Sequence, residues 1–149
     1  AGCPLVAWCD LAVAVEKARF AAAGVKIGLF CTTPMVAISR NIGRKAALEM
    51  LLTGRFYSAR EAKELGLINR VVSMEALESE TQLLAEEIAQ ASRFVLSIGK
   101  QAFYDQVDQI DEKALDYARH TIAMNLTAND AQNGIKAFLA KEKPVWENS

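Results

Sequence analysis

Three cysteines and one histidine are the first side chains to consider as nucleophiles or metal ligands in this sequence. Cys3, Cys9 and Cys31 have no Cys-x-x-Cys spacing and lie among apolar neighbours. A zinc site needs about four such ligands close together, and His120 is far from all three cysteines in sequence. We therefore predict three reduced core thiols, a surface histidine and no metal site. The chain also has no Ser/His/Asp order, no P-loop and no GxGxxG run.

The composition excludes several classes of protein. Of the 149 residues, 52% are apolar and 23% are charged, which is ordinary globular usage and argues against disorder. The net charge of −1 argues against a nucleic-acid-binding surface. The longest apolar run, residues 5–14, is interrupted by Asp10 and falls short of the roughly 20 residues of a membrane helix. We therefore expect a soluble protein with neither nucleic acid nor membrane as its partner.

The N-terminal half mixes short helices and strands. Apolar runs predict strands over residues 11–15, 18–21 and 67–72, and Pro4 suits the first turn of a helix that continues to residue 9. Residues 22–33 contain two glycines and no helical period, which predicts a loop. Helices are expected over residues 34–42 and 45–52. A third, shorter helix begins at Ser58, with Glu61 at capping-box spacing.

The C-terminal half is predicted to be helical. Residues 74–98 carry an apolar stripe at intervals of seven, four, three, four and three residues, which predicts one long helix. Two shorter helices follow around residues 115–126 and 131–138, with Asn129 or Asp130 as the cap between them. The best division of the chain therefore lies at Met74, between residues 1–73 and 74–149.

Three blocks of the sequence resemble the crotonase superfamily, the enoyl-CoA hydratases and isomerases. The first is AGCPLVAWCDLAVAVEKARFAAAGVKIGLF, at residues 1–30. The second is LTGRFYSAREAKELGLINRVV, residues 52–72, and the third is NGIKAFLAKEKPVW, residues 133–146. Their order and spacing agree with the family's throughout, so the resemblance covers essentially the whole chain.

The resemblance implies a fold and a ligand. The fold is α/β and crotonase-like (ClpP/crotonase): residues 1–73 would be the C-terminal part of the ββα spiral, and residues 74–149 the helical trimerisation region. The ligand would be an acyl-coenzyme A thioester, with no separate cofactor and no metal. The family holds a thioester oxyanion with two backbone N–H groups, and one of these positions falls on Ala1, with Gly2 beside it. Unpaired amides at a helix start suit an oxyanion.

Two departures from the family pattern concern the catalytic carboxyl groups. Active hydratases carry one glutamate in the first helix and a second in the following loop, where this chain has Pro4 and Gly24. Neither residue can transfer a proton, and residues 21–28 contain no other carboxylate of the kind that isomerases keep. We therefore expect hydration to be weak or absent. The pattern is similar to the divergent enoyl-CoA hydratase domain-containing branch, which lacks both glutamates.

The resemblance also implies substrate contacts, an assembly and a compartment. The substrate-binding positions would be Gly24, Ile27, Gly28 and Lys141, the last by approaching the coenzyme A phosphates. The assembly would be a homotrimer or a hexamer. The compartment would be the cytoplasm in a bacterium or the mitochondrial matrix in a eukaryote. Because the family's first oxyanion donor lies upstream of these blocks, we expect the 149 residues to belong to a longer protein, or to remain after processing of one.

Three functional hypotheses remain open at this point. The chain is part of an acyl-CoA enzyme of the hydratase/isomerase type with altered chemistry, a non-catalytic acyl-CoA-binding protein, or an oligomerisation module without a complete site. The changed glutamate positions favour the second over true hydration, whereas family frequency favours the first. The expected upstream region favours the third for this polypeptide.

Overall fold

The computed structural model describes residues 2–149, which form eight α-helices, one 3₁₀ turn and four short strands. The helices are α1 (Gly2–Trp8), α2 (Thr32–Asn41), α3 (Arg44–Thr53), α4 (Ala59–Glu64), α5 (Leu77–Ala89), α6 (Arg93–Gln106), α7 (Asp111–Leu126) and α8 (Asn129–Ala140). The strands are β1 (Val13–Val15), β2 (Arg19–Phe20), β3 (Tyr57–Ser58) and β4 (Arg70–Val72). The 3₁₀ turn is Ala23–Ile27. None of the described helices is long and apolar enough to span a membrane.

The strands pair into two small sheets. β1 runs parallel to β4, with Val13 opposite Arg70, and β2 runs antiparallel to β3, with Phe20 opposite Tyr57. The three strands predicted from apolar runs are confirmed in shortened form. β3 was missed, because its two residues directly precede a helix and give no alternating pattern of their own.

The N-terminal elements share one apolar core. Its buried side chains come mainly from α2, α3, α4 and the strands, and Ile38 and Met50 are fully buried. The side-chain amide of Asn41, at the end of α2, donates to the carbonyls of Ala7 (2.7 Å) and Ala37 (2.8 Å). The last carbonyls of a helix have no hydrogen-bond partner within that helix. Because Asn41 donates to one of them in α1, it fixes the end of α1 to α2.

The expected loop over residues 22–33 is more ordered than its sequence indicates. Residues 23–27 form the 3₁₀ turn, and α2 begins at Thr32, which puts Pro34 in the first helical turn as predicted. Glycine-rich segments give no periodic signal, so the turn could not be read from the sequence.

The prediction of one long helix over residues 74–98 is wrong. α5 ends at Ala89 and α6 begins at Arg93, with Ser92 as its N-cap: the Ser92 hydroxyl accepts a hydrogen bond from the Val95 N–H at 3.1 Å. The freed carbonyl of Gln90 accepts a hydrogen bond from the Trp146 indole at 2.7 Å. The break therefore has its polar groups satisfied by residues far along the chain.

Neither Asn129 nor Asp130 caps α8. The N-cap is Ala128, without a side-chain hydrogen bond. Asp130 instead lies buried in the first turn and accepts hydrogen bonds from the Ser92 hydroxyl and from the N–H groups of Glu147 (2.6 Å) and Asn148 (3.0 Å). Burial alone would raise the pKa of Asp130, but these three donors together hold it below its usual value.

The cysteine prediction holds only in part. All three thiols are free, and Cys3 and Cys31 are half-buried against the core, but Cys9 is exposed just beyond the end of α1. The prediction that Cys9 is buried rested on its apolar neighbours and is wrong. One of these neighbours, Trp8, is itself exposed. His120 is on the surface, as predicted.

The chain forms two compact units, of which one ends at Leu83 and the other is Leu84–Ser149. The first contains the strands and the 3₁₀ turn, and the second contains α6, α7 and α8 packed on one another. The division at 73/74, which concerns the family's spiral and helical regions, stays a prediction.

The predicted capping box at the start of α4 is present, and it makes the stability of the protein depend on pH. Glu61 accepts hydrogen bonds from the Ser58 backbone N–H (2.8 Å) and from Arg55 (2.8 Å), while the Ser58 hydroxyl accepts from the Glu61 N–H. The Ser58 N–H first, and then Arg55, lower the pKa of Glu61 from 4.5 to about 2. Because the folded-state pKa is the lower one, this stabilisation is present above about pH 4.5 and is lost as the pH falls towards 2.

We expect Glu61→Gln to reduce the loss of unfolding free energy between pH 6 and pH 3, measured by urea denaturation. Glutamine can still accept the Ser58 hydrogen bond, so the cap geometry is retained. Glu64→Gln removes a carboxylate from the same helix without touching the box and is the matched control. An equal flattening in the control would mean that the capping box is not the source.

Candidate functional site

The predicted oxyanion position lies at the start of α1. Ala1 is outside the described residues, so its placement stays a prediction. Gly2 begins the helix and is exposed, and a Cβ added there would meet nothing within 4 Å. Pro4 is half-buried in the first turn, where its missing N–H removes no helical hydrogen bond. The backbone at this helix start is therefore open, but it presents no acidic side chain.

The 3₁₀ turn brings together three of the predicted substrate-binding positions. The Gly24 carbonyl accepts a hydrogen bond from the Leu29 N–H at 3.0 Å, and the Gly28 N–H donates to the Val25 carbonyl at 3.3 Å. Gly28 ends the turn at φ +79°, a left-handed conformation that favours glycine. Ile27 is 77% exposed. The turn thus presents one apolar side chain and a tightly bonded backbone.

Gly24 has no room for a side chain. A Cβ added there would lie 2.6 Å from the Leu29 carbonyl oxygen and 2.7 Å from the Cys31 sulfur. The Gly24 N–H also donates to that sulfur, at 3.3 Å. Since backbone cannot give way as a flexible side chain can, the second glutamate position is closed as well as empty.

Gly54, the glycine of the LTG block, holds the 3₁₀ turn from the other side. It ends α3 at φ +56°, and a Cβ there would lie 2.9 Å from the Val25 Cγ1 and 3.2 Å from the Ala23 Cα. Its contact with the turn was missed, because nothing local indicates what the backbone approaches.

Two thiols lie where α1 and the loop after the 3₁₀ turn approach the core. Burial raises the pKa of Cys3, a hydrogen bond with the Ala21 backbone opposes this, and the neighbouring Cys31 raises it further. The Cys3 thiol therefore stays protonated and is a poor general base. Cys31 was predicted only as a core thiol, and no local pattern indicates its hydrogen bond with the Gly24 N–H.

Lys141 lies in the second compact unit, where it ends α8. Its φ of +58° is left-handed, its N–H donates to the Phe138 carbonyl at 3.2 Å, and it is exposed. Among the described residues its side chain forms no ion pair, and its role at a coenzyme A phosphate stays a prediction.

The titratable side chains of the described residues form no cluster suited to a metal ion. Among residues 2–149, no three histidine, cysteine, aspartate or glutamate side chains are grouped so that they could hold a metal ion. The carboxylates of Glu49 and Glu61 both bind the Arg55 guanidinium, at 3.2 and 2.8 Å. Residues 21–28, which contain the 3₁₀ turn, include no carboxyl group.

Comparisons with known proteins identify the family of the chain. The enoyl-CoA hydratase/isomerase family model matches residues 1–149. The mitochondrial enoyl-CoA hydratase domain-containing protein 3 of Danio rerio is 51% identical over 149 residues, 100% of this chain and 52% of that protein. The human protein of the same name is 49% identical over 148 residues, 99% of this chain and 49% of that protein. The chain therefore spans about half the length of these relatives.

Solved structures show the same fold. The enoyl-CoA hydratase of Mycobacterium smegmatis superposes with a TM-score of 0.95 at 50% identity, over 97% of this chain and 56% of that one. Human enoyl coenzyme A hydratase domain-containing protein 3 gives a TM-score of 0.92 at 50% identity, over 97% and 57%. The α/β crotonase-like fold expected from the three sequence blocks is thus confirmed. With a match over its whole length and relatives half identical to it, the chain belongs to the enoyl-CoA hydratase/isomerase family, the crotonase superfamily.

Proposed function

We propose that the protein binds an acyl-coenzyme A thioester and polarises its carbonyl with backbone amides, while hydrating the adjacent double bond weakly or not at all. The observation that carries this proposal is the closed position at Gly24, where the Leu29 oxygen and the Cys31 sulfur occupy the space of a side chain. Hydration needs a group that transfers a proton to or from water. Neither Gly24 nor Pro4 has one.

Binding of an oxyanion by backbone N–H groups does not depend on these side chains. A backbone N–H at a helix start needs only the right main-chain geometry, so Ala1 and Gly2 can supply it whatever the neighbouring side chains are. Removing one oxyanion donor from such a site typically costs about 10²–10³ in rate, so retaining these donors keeps a substantial capacity to polarise a thioester. The ligand contacts proposed at the turn are Gly24, Ile27 and Gly28. Lys141, at the end of α8, is proposed separately to approach coenzyme A phosphates, as the family's terminal-helix lysine usually does at a neighbouring subunit.

Family membership supports the substrate class and the compartment. An acyl-CoA thioester is the ligand we propose, and a lyase or isomerase role in fatty acid metabolism is the enzymatic form of the proposal. No additional cofactor is required for it. The related proteins of Danio rerio, Mus musculus and Homo sapiens are named as mitochondrial, which supports the matrix if the source is eukaryotic. A bacterial protein would act in the cytoplasm.

A second candidate function is a non-catalytic acyl-CoA-binding or oligomerisation module. The observation that favours it is the apolar surface of α8, where Phe138 is 82% exposed and Leu139 is 76% exposed. Surface of this kind is typical of an interface. We propose that these side chains lie in a homotrimer, or in a hexamer made of two trimers.

The close contacts at Gly24 predict that a methyl group added there destabilises the protein. We expect Gly24→Ala to lower the free energy of unfolding by about 1–3 kcal/mol in urea denaturation, because the loop must move to admit the Cβ. Gly99→Ala, in the open interior of α6, is the control and is expected to be stabilising by up to about 1 kcal/mol.

Combining Gly24→Ala with Cys31→Ala removes only one of the two close contacts, so the double variant is expected to remain destabilised relative to Cys31→Ala alone. A Gly24→Ala variant as stable as the wild type would contradict the closure. The same geometry makes Gly24→Glu a poor restoration of the missing carboxyl group, since the backbone at Leu29 blocks it.

The proposed chemistry predicts binding without efficient turnover. Calorimetry on the full-length protein is expected to show crotonyl-CoA binding. Its hydration, followed by loss of the conjugated thioester absorbance, should be at least about 10²-fold slower than that of an active family hydratase assayed in parallel. A rate equal to that of the active hydratase would show that another group transfers the proton. Absence of crotonyl-CoA binding would favour the oligomerisation module.

The assembly proposal predicts a mass three or six times that of the protomer in light scattering. Phe138→Asp is expected to dissociate the assembly, because it places a charge in a buried apolar contact. Lys136→Gln, at an exposed polar position of the same helix, should leave the mass unchanged. A monomeric wild-type protein at micromolar concentration would defeat the proposal.

A further inference from the structure

Cys31 is the N-cap of α2, but its thiol contacts the neighbouring 3₁₀ turn rather than its own helix. At an N-cap, a side-chain oxygen usually accepts a hydrogen bond from an N–H of the first helical turn. Among the described residues, the Cys31 side chain makes no such bond with α2. Its sulfur instead accepts a hydrogen bond from the Gly24 N–H at 3.3 Å.

The Gly24 N–H needs a partner from outside its own turn. The first N–H groups of a helical turn have no carbonyl partner within it. Within residues 2–149, Ala22, the N-cap of the 3₁₀ turn, supplies no side-chain hydrogen bond either. The acceptor that reaches Gly24 belongs to a residue seven positions further along the chain. The Cys31 sulfur therefore caps the 3₁₀ turn, although its backbone starts another helix.

A thiol can contact the turn because it competes only weakly for the donors of its own helix. An oxygen-bearing side chain at position 31 would be drawn to the Thr33 N–H, since Pro34, the next residue of α2, has no N–H. A thiol is a weak acceptor and a poor N-cap. It is also closely fitted to the turn, because a Cβ added at Gly24 would lie 2.7 Å from the sulfur.

The segment that Cys31 holds is also bound from α1. The Cys3 thiol forms a hydrogen bond with the Ala21 backbone, and Cys3 directly follows Gly2, where α1 begins. Residues 21–24 are therefore bound by one thiol at the start of α1 and by another at the start of α2. A displacement of this segment changes the position of the turn relative to the start of α1.

We propose that Cys31 is a positioning residue, which holds the 3₁₀ turn where a thioester bound at the start of α1 requires it. This inference rests on the proposed function, which assigns the thioester oxyanion to α1 and further ligand contacts to Gly24, Ile27 and Gly28. The thiol makes and breaks no bond of the ligand, because it acts through the Gly24 backbone. Small displacements of positioned groups are costly, so loss of this hydrogen bond weakens binding.

Cys31→Ser separates this role from a contribution to stability. The serine oxygen lies closer to its own Cβ than the sulfur does, and it can cap α2 through the Thr33 N–H. Urea denaturation of the full-length protein is therefore expected to show no loss of stability. Hydrogen exchange at Gly24, followed by mass spectrometry, should be about fivefold to tenfold faster than in the wild type, because one hydrogen bond is lost.

Ligand binding should change in the same variant. We expect Cys31→Ser to bind crotonyl-CoA about fivefold to tenfold more weakly in calorimetry. The absorbance shift of the bound conjugated thioester, which reports polarisation of its carbonyl, should be smaller. Cys31→Ala should show the same changes in exchange and binding, together with a loss of stability from the cavity that it leaves. Cys9→Ser, which replaces an exposed thiol just beyond α1, is the matched control and should change none of these quantities.

Two kinds of failure can be told apart. Wild-type exchange at Gly24 or wild-type affinity in Cys31→Ser would overturn the positioning role and leave the proposed function standing. Equal changes in Cys9→Ser, or a loss of stability in Cys31→Ser that accounts for its loss of affinity, would also overturn it. Absence of crotonyl-CoA binding by the wild type would defeat the proposed function, and this role of Cys31 with it, whatever the exchange rates are.

Discussion

The close approach of backbone segments around the 3₁₀ turn is the constraint on which the candidate site depends. On one side, the carbonyl of Leu29 and the sulfur of Cys31 lie against Gly24, and on the other, Gly54 lies against Ala23 and Val25. A side chain at either glycine would force these segments apart. Glycine at both positions therefore keeps the turn in this close contact. Gly24 is also the position at which the resemblance to the hydratases predicts the second catalytic glutamate.

A second fixed point, Asp130, organises the other compact unit. Its carboxylate is buried and receives the Ser92 hydroxyl together with two N–H groups of the C-terminal segment. These donors replace the water that the carboxylate loses on burial, which is the condition under which a buried charge is tolerated. Asp130 thus connects the N-cap of α6 to residues 147 and 148 of the C-terminal segment.

The chemistry that we propose for this family member depends on main-chain groups more than on side chains. Carboxyl groups at two positions are easily lost by substitution, whereas an amide at a helix start persists as long as the fold does. The polar side chains of the first unit are largely committed elsewhere: Glu49 and Glu61 bind Arg55, and the Cys3 thiol is kept neutral by burial.

The sequence by itself determined the family, because three blocks match it in order and spacing. It also predicted the capping box at Ser58 and most helices and strands of the first unit, although not β3 or the 3₁₀ turn, because these local elements depend on residues within a few positions of one another. It also predicts that Pro4 and Gly24 are the changed glutamate positions, and this assignment stays a prediction. Only the tertiary structure decided that Gly24 is closed, since Leu29 and Cys31 must first fold back on it. Likewise, the apolar stripe of residues 74–98 is continuous, but the partners that break its helix lie 38 and 56 residues away, at Asp130 and Trp146. Local periodicity carries no information about such contacts, because they form only when distant segments pack together.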